Sequence, residues 1–264
     1  MTAHDGFTLM DLVSFTSKHN DQPWPFGPSD GGADDNLAWD SGGDHALRRT
    51  RLRNFLVILF LSRGVPMITS GDEYGRTQNG NNNPWSLNTI GLWNNWAQAV
   101  SPAPTQLPVD PDDPDGPRYF DVFGEAPTAY NPILRFTRAL ARLRASRPSL
   151  RQQVYGNTVL DDHDVSYFFT RPDGQGPARQ GDCCLRVHID SSGIGDPDLL
   201  VLINQTPQPQ TFRTVPDQAW IRILDTAAWA EPNGNLWARE SASDIPADYS
   251  VSPWSITVLQ SHQH

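Results

Sequence analysis

The sequence contains few cysteines, and the two it has argue against the usual structural uses of cysteine. They are adjacent, at Cys183 and Cys184, in a chain of 264 residues. Neighbouring cysteines rarely form an unstrained disulfide, and this pair lacks the ligand spacing of a zinc site. We therefore expect both to be buried or half-buried strand residues in a reducing compartment, which predicts a cytoplasmic protein.

Basic residues and long apolar runs are also scarce, which argues against two classes of partner. The 20 basic residues are outnumbered by 30 acidic ones, for a net charge of −10, so we do not expect nucleic acid as the main partner. No apolar run approaches the length of a membrane span, and we expect no membrane partner. The first residues lack the basic segment and the cleavage site of a secretory signal. No acidic cluster has the spacing of a calcium loop, so we expect neither a metal nor a cofactor.

Aromatic residues, in contrast, are plentiful, with nine tryptophans and six tyrosines. Aromatic faces stack well on the apolar faces of flat ligands, sugars among them. The alternative is that most of these rings fill cores and domain interfaces, which is the commoner location of a tryptophan. Composition alone leaves both interpretations open.

One helix and the segment after it predict a step from α to β structure. Residues 44–63 carry apolar residues at helical spacing, and Asp44 is placed to cap their start. Gly64 suits the position just after the helix end. Residues 65–69 form a short apolar run, as expected of a strand that is buried on both faces, and two acidic residues follow it closely. Polar side chains just past the C-terminal end of a buried strand are typical of the active sites of α/β barrels.

Loops separate this step from two other predicted helices. Residues 8–17 have the spacing of a short helix. Residues 18–43 make a long polar loop, which we expect its three large aromatic side chains to pin down. Residues 101–117 are rich in proline and predict an irregular insertion. A further helix begins at Asn131, a suitable N-cap, and Pro148 ends it.

The pattern changes to β structure from about Val154. Five short runs rich in β-branched and aromatic residues are separated by turn signals such as PDG, SSG and PNG. This pattern predicts an antiparallel β sandwich of about six to eight strands. We therefore divide the chain into an α/β domain at residues 1–150 and a β domain at residues 151–264.

Three carboxylates, Asp5, Asp72 and Glu73, carry the chemical prediction. Paired carboxylates at strand ends suit glycoside hydrolysis, in which one group donates a proton and another attacks or stabilises the sugar. A solvated or helix-capping carboxylate is the commoner role of any aspartate. The pairs His4-Asp5 and Asp72-Glu73 are weak signals when taken alone.

A resemblance to a known family makes these signals specific. The motifs that carry it are HDGFTL at 4–9, KHN at 18–20, NLAW at 36–39 and GVPMITSGDEYGRTQNGNNN at 64–83. In this order and spacing they closely resemble the α-amylase superfamily (glycoside hydrolase family 13), in its glycogen debranching enzyme and isoamylase branch. DTAAW at 225–229 and YSVSPWSITVL at 249–259 resemble the closing strands of that family's C-terminal domain. The resemblance covers most of the chain and is weakest at 101–125.

The resemblance implies a retaining hydrolase that cleaves α-1,6 branch points of glycogen, amylopectin or limit dextrins. Its fold would be a TIM barrel with three working carboxylates, after the fourth, fifth and seventh strands. His4-Asp5 matches the seventh-strand motif, which makes Asp5 the third carboxylate, a stabiliser of the transition state, and His4 a substrate-binding neighbour. Asp72 and Glu73 would follow the eighth strand, where they either bind substrate or anchor backbone and arginine groups at the barrel rim. The substrate-binding cleft would also be lined by Arg76, Gln78, Asn81, Asn82 and Asn83.

The family's nucleophile motif would precede His4, where this sequence has three residues. We therefore expect the C-terminal part of a debranching enzyme, in which the last strands and helices of a TIM (β/α)8 barrel are followed by an all-β sandwich. The nucleophile and the general acid would lie in the missing N-terminal part of the barrel, and this chain alone would lack hydrolytic activity. It would also aggregate, since the apolar face of helix 44–63 and the edge of strand 65–69 would be uncovered. The alternative is a non-catalytic subunit that binds α-glucan through the aromatic residues of its loops and β domain.

Overall fold

The computed structural model describes residues 2, 5–94, 96, 131–152, 165–238 and 243–262. The chain divides into two units. The first comprises Met1–Leu59 and Pro66–Ala139, and the second comprises Phe60–Val65 and Leu140–His264. The predicted division at residue 150 stays a prediction, and the proline-rich stretch at 101–125 lies outside the described residues.

The described ranges contain three α-helices, which are α1 at Leu9–Leu12, α2 at His45–Leu61 and α3 at Pro132–Ser146. The first is shorter than residues 8–17, the predicted range. At its end the Ser14 hydroxyl donates to the carbonyl of Met10 at 2.6 Å, a side-chain bond of the kind that competes with helical hydrogen bonding. Within the described ranges, no helix has the length and apolar character needed to span a membrane.

Helix α2 lies within two residues of its predicted bounds because both of its ends carry local signals. Asp44 Oδ1 accepts the backbone N–H of the third helical residue at 2.9 Å, as an N-cap should. After the helix end, Gly64 has a φ of 100°, which favours glycine. The Arg144 guanidinium donates to the carbonyls of Phe60 at 2.6 Å and Ser62 at 2.8 Å. These bonds satisfy carbonyl groups that a helix end leaves without partners.

The apolar face of α2, which we expected to be uncovered, is largely buried by other residues of the chain. Leu52 and Leu56 have no exposed surface. On the same helix, the Arg51 guanidinium lies 3.5 Å from the centroid of the Trp39 ring. Phe26, farther back in the 18–43 loop, is also fully buried. Trp39 and Phe26 therefore hold the loop as predicted, whereas the third aromatic side chain, Trp24, is 66% exposed.

The prediction of a buried strand at residues 65–69 was wrong. The segment is not a strand, and Val65 and Met67 are 87% and 78% exposed. A strand depends on a neighbouring strand for its backbone hydrogen bonds, and its apolar side chains depend on packing for burial. No strand in the described part of the chain pairs with residues 65–69. Residues 65–69 therefore have the apolar composition of a buried strand, but no described strand pairs with them and buries their side chains.

Helix α3 begins where the sequence predicts because Asn131 caps it. The Asn131 Oδ1 atom accepts the N–H groups of Ile133 at 2.9 Å and Leu134 at 3.0 Å. The helix ends before Pro148, which opens a 3-10 turn at Pro148–Arg151.

Seven antiparallel strands follow in the described residues, which confirms the antiparallel β domain and its expected strand number. Five form one sheet in the order β1-β2-β3-β7-β5, and β4 pairs with β6 in a second sheet. Side chains of both sheets share one core, with Leu200 and Trp220 from the larger sheet and Phe212 from the smaller. The strands are β1 Ser166–Thr170, β2 Cys184–Asp190, β3 Leu199–Asn204, β4 Gln210–Arg213, β5 Trp220–Asp225, β6 Asp248–Val251 and β7 Ile256–Ser261.

Two details of the β domain differ from expectation. Strand β4 was not recognised, because it has four residues and a mostly polar composition. Strand β6 was indicated only by the resemblance of residues 249–259 to closing strands of the family's C-terminal domain. Cys184 is buried in β2 as expected, whereas Cys183 is exposed because the pairing of β2 with β3 begins one residue later. Both cysteines are free.

Candidate functional site

Asp5 is an exposed carboxylate at the edge of a set of hydrogen-bonded loops. The N–H of the next residue, Gly6, donates to the carbonyl of Asn82 at 3.0 Å. This bond brings the segment that begins at Asp5 next to residues 81–83, which are also predicted site residues. His4 lies outside the described residues, and its predicted role stays a prediction.

Asp72 is almost completely buried, and both of its carboxylate oxygens are engaged. Oδ1 accepts the backbone N–H of Leu9 at 2.8 Å, and Oδ2 accepts the hydroxyl of Thr2 at 2.6 Å. Burial raises the pKa of Asp72, and these hydrogen bonds oppose the rise. The sequence left two roles open for Asp72, substrate binding and the anchoring of backbone groups. The geometry favours anchoring, because the carboxylate accepts a backbone N–H from the first turn of α1. Direct substrate contact by Asp72 stays a prediction.

Glu73 and Arg76 stabilise the turn that leads into the next loop. Glu73 Oε2 accepts the N–H of Gly71 at 2.8 Å. The Arg76 guanidinium donates to Gln78 Oε1 at 2.7 Å and to the carbonyl of Leu92 at 2.9 Å. Gln78 is buried, whereas Glu73 and Arg76 are half-buried. The carboxylate and the guanidinium therefore retain some solvent access, although each has a structural bond.

The asparagines of the NNN motif bind the neighbouring loop rather than project from it. The Asn81 side chain is fully buried and donates to the carbonyl of Phe26 at 2.6 Å. Asn82 is 1% exposed, and its Nδ2 atom donates to Asn36 Oδ1 at 2.7 Å. The backbone N–H of Asn82 donates to Asn20 Oδ1 at 3.0 Å. We call this set of contacts between residues 20–36 and residues 81–83 the asparagine network.

Asn83 ends the motif and is half-buried. Its Nδ2 atom donates to the carbonyl of Asp30, which adds a further bond between the same two loops. Because two of the three asparagines have almost no accessible surface, the asparagine network shapes the loops, and substrate contact by these side chains stays a prediction.

Sequence reasoning missed Asp11, which is the most deeply buried carboxylate of the loop region. It has no exposed surface, accepts the hydroxyl of Thr77 and accepts the N–H of Gln78 at 2.8 Å. Burial raises the pKa of Asp11 to about 6, although its hydrogen bonds lower it. The available signal was an aspartate within an apolar helix pattern, next to Met10 and Leu12.

Among the three carboxylates that the sequence predicts for the site, Asp5 is exposed, Glu73 is half-buried and Asp72 is buried. Asp5 can accept hydrogen bonds from ligand hydroxyl groups, and the asparagine network restricts the movement of the loops around it. Within the described ranges, no group of three or more histidine, cysteine, aspartate or glutamate side chains could hold a metal ion. A single carboxylate cannot supply both the nucleophile and the proton donor of glycoside hydrolysis.

Comparison of the amino-acid sequence with known proteins finds relatives that are named as isoamylases, glycogen debranching enzymes or GlgX homologs. An isoamylase from Flavobacterium sp is 35% identical over 243 residues, which are 88% of this chain and 28% of that protein. A glycogen debranching enzyme from Dickeya chrysanthemi is 30% identical over 230 residues, 83% of this chain and 29% of that protein. A glycogen operon protein GlgX homolog from Mycobacterium tuberculosis is 42% identical over 289 aligned residues, 98% of this chain and 35% of that protein. No family model matches.

A solved structure has a similar fold. The solved structure of apo pullulanase from Paenibacillus barengoltzii matches 97% of this chain and 28% of its own chain, with a TM-score of 0.55 and 17% identity. At this identity the likeness shows the fold alone. In sequence, the chain is similar to an isoamylase and to a glycogen debranching enzyme over more than 80% of its own length. It spans about a third of the length of the curated relatives it matches.

Proposed function

We propose that this chain forms part of a retaining hydrolase that cleaves α-1,6 branch points of α-glucans such as glycogen, amylopectin or limit dextrins. The observation that carries the proposal is the 35% identity to the Flavobacterium isoamylase over most of the chain. The geometry supports it, because an exposed Asp5 lies beside loops held by the asparagine network.

In this proposal Asp5 is the third carboxylate, which accepts hydrogen bonds from sugar hydroxyls as the ring distorts toward the transition state. His4 orients the same sugar. The half-buried side chains of Glu73 and Arg76 and the Asn83 amide face the bound glucan, whereas Asp72 and the buried amides of Gln78, Asn81 and Asn82 hold the loops in place. The location is proposed to be cytoplasmic, which the two free cysteines support.

The nucleophile and the general acid are proposed to lie outside these 264 residues, in the N-terminal part of a TIM barrel. The first unit of this chain would then supply the last strands and helices of that barrel. The exposed run at residues 65–69 supports this idea, because its apolar side chains would be buried if the rest of a barrel covered them.

Reducing-sugar release from amylopectin tests the proposal in a chimera. In the chimera, residues 1–264 replace the aligned portion of the Flavobacterium isoamylase, which supplies the rest of the barrel. We expect the chimera to release reducing ends and the 264-residue chain alone to release none. Asp5→Asn in the chimera should lower the rate about 100-fold or more, since it removes a charge that stabilises the transition state.

Asp217→Asn is the matched control, because Asp217 is an exposed aspartate in the β domain. It should leave the rate of the chimera unchanged. Hydrolysis by the chain alone, or an Asp5→Asn chimera as active as its parent, would contradict the proposal. An inactive chimera together with binding of maltoheptaose by the chain would favour the second candidate, a non-catalytic α-glucan-binding subunit. The five strongly exposed tryptophans of the chain are the observation that favours this candidate.

A further inference from the structure

Most tryptophans of this protein are on the surface rather than in a core. Five of the nine are between 49% and 76% exposed, whereas Trp220 lies in the core of the β domain. Four of the exposed rings are in the first unit, and one, Trp229, is in the β domain. Most of the tryptophans therefore do not fill a core of this chain, whereas the interpretation that they lie at domain interfaces stays a prediction. The exposure of so many large rings requires an explanation, because aromatic side chains are usually buried.

Trp229 is part of a cluster on the β domain that we call the aromatic platform, formed by Trp229, Trp237 and Arg222. The two indole rings have centroids 5.8 Å apart and an interplanar angle of 41°. The Arg222 guanidinium lies 4.0 Å from the centroid of Trp237 and 4.9 Å from that of Trp229. A cation within this range of an aromatic face is attracted to it, so the guanidinium holds both rings.

The platform is fixed before any ligand arrives. Trp229 Nε1 donates to Ser252 Oγ at 3.1 Å, which defines the orientation of an otherwise exposed ring. Arg222 Nη1 donates to the hydroxyl of Tyr249 at 2.8 Å. A side chain that is already held loses little conformational freedom on binding, which favours affinity.

The apolar area at this place is too small for a protein partner. A stable protein interface buries about 800 Å² on each side. Among the described residues of the β domain, the strongly exposed large apolar side chains are Trp229, Phe168 and Phe169, and both phenylalanines belong to the edge strand β1. A tilted pair of rings with hydroxyl groups at its border instead suits a ligand of one or two flat rings that carry hydroxyls.

We propose that the aromatic platform binds an α-glucan chain, with glucose rings stacked on Trp229 and Trp237 and with the Ser252 hydroxyl available at the border. The C–H bonds on one face of a glucose ring carry partial positive charge and meet the electron-rich face of an indole. The choice of α-glucan as the ligand rests on the proposed function. The site itself rests on the contacts of the β domain, which the prediction of catalytic residues did not include.

Isothermal titration of the 264-residue chain with maltoheptaose tests the site. We expect wild-type binding to be weakened about tenfold or more by Trp229→Ala, which removes the more exposed of the two stacking faces. Trp229→Phe keeps an aromatic face and should retain most of the affinity. The intrinsic fluorescence change on binding should also be smaller in Trp229→Phe than in the wild type, because the ring that the sugar covers no longer contributes.

Phe169→Ala is the matched control, since Phe169 is 52% exposed on the same domain and lies on strand β1. It should leave the affinity unchanged. Equal affinities of wild type and Trp229→Ala, or no binding by the wild type, would overturn the inference. If the titration fails but the chimera hydrolyses amylopectin, the aromatic platform is refuted and the proposed hydrolase function stands. If maltoheptaose binding depends on Trp229 but the chimera is inactive, the proposed hydrolase function is refuted and the aromatic platform stands.

Discussion

The buried carboxylate of Asp11 makes the stability of the loop region depend on pH. The pKa of Asp11 is raised from 3.8 to about 6, chiefly because burial disfavours the charged form. The protonated form is therefore favoured more in the folded state than in the unfolded state. The stabilisation that this difference provides is fully present below about pH 4 and is lost as the pH rises through about 6.

The magnitude follows from the size of the shift. A shift of about 2 pKa units corresponds to about 3 kcal/mol between the two protonation states. The amide that Asp11→Asn introduces cannot titrate, and it can still pair with Thr77 and present an oxygen to the N–H of Gln78. We therefore expect the wild type to lose about 3 kcal/mol of stability relative to the variant between pH 4 and pH 7.

Urea unfolding of both proteins at pH 4, 5, 6 and 7 measures this difference. Hydrogen exchange of the Gln78 amide gives a local measurement, because this N–H donates directly to Asp11 Oδ2. Asp21→Asn, at an exposed aspartate of the same unit, controls for the loss of a charge. A difference between wild type and Asp11→Asn that stays constant over this pH range, or that favours the wild type at high pH, would refute the reasoning.

Two further predictions concern side chains that hold the loops and helices. Asn131→Ala removes the N-cap of α3 and the bond from Asn131 Nδ2 to the carbonyl of Tyr74 at 2.9 Å, so it should destabilise the chain by about 1–2 kcal/mol in urea unfolding. The control Asn233→Ala, at an exposed asparagine, should have little effect. Equal unfolding midpoints for wild type and Asn131→Ala would contradict the capping role. Asn82→Ala leaves the amide of Asn20 without its side-chain partner at 3.0 Å, so limited proteolysis should cut residues 18–43 several-fold faster while the β domain stays intact. Unchanged cleavage would show that the asparagine network does not hold this loop.

Local signals in the sequence were sufficient for the helices. Helices α2 and α3 begin within one residue of the predicted caps, because an N-cap works through hydrogen bonds to backbone groups two or three residues away. Five of the seven strands that the structure describes also follow the predicted runs, since β-branched and aromatic residues mark them. In β4 and β6 this signal is weak, because each strand has four residues and only two of them are β-branched or aromatic.

The candidate site was predictable in part. Asp5 is exposed, and its neighbour Gly6 bonds to Asn82, so two of the predicted segments are adjacent. The substrate cleft itself stays a prediction. The burial of Asn81 and Asn82 could not be predicted, because the sequence of a loop motif does not show whether an asparagine contacts a ligand or the neighbouring loop. Asp11 was missed because its two acceptor bonds reach residues that are more than 60 positions away in the chain.

The sequence by itself determined the helix ends, most of the strands and the family resemblance, because caps, periodicity and motifs act over short distances along the chain. The tertiary structure decided which groups are buried. The apolar run at residues 65–69 is exposed because no described strand pairs with it. Asp11 is buried where the distant loop residues Thr77 and Gln78 bond to its carboxylate. Trp229 is exposed, lies beside Arg222 and is part of a 3-10 helix, although the motif at 225–229 that contains it predicted a closing strand. Burial depends on neighbours that are distant in sequence, and local patterns do not record them.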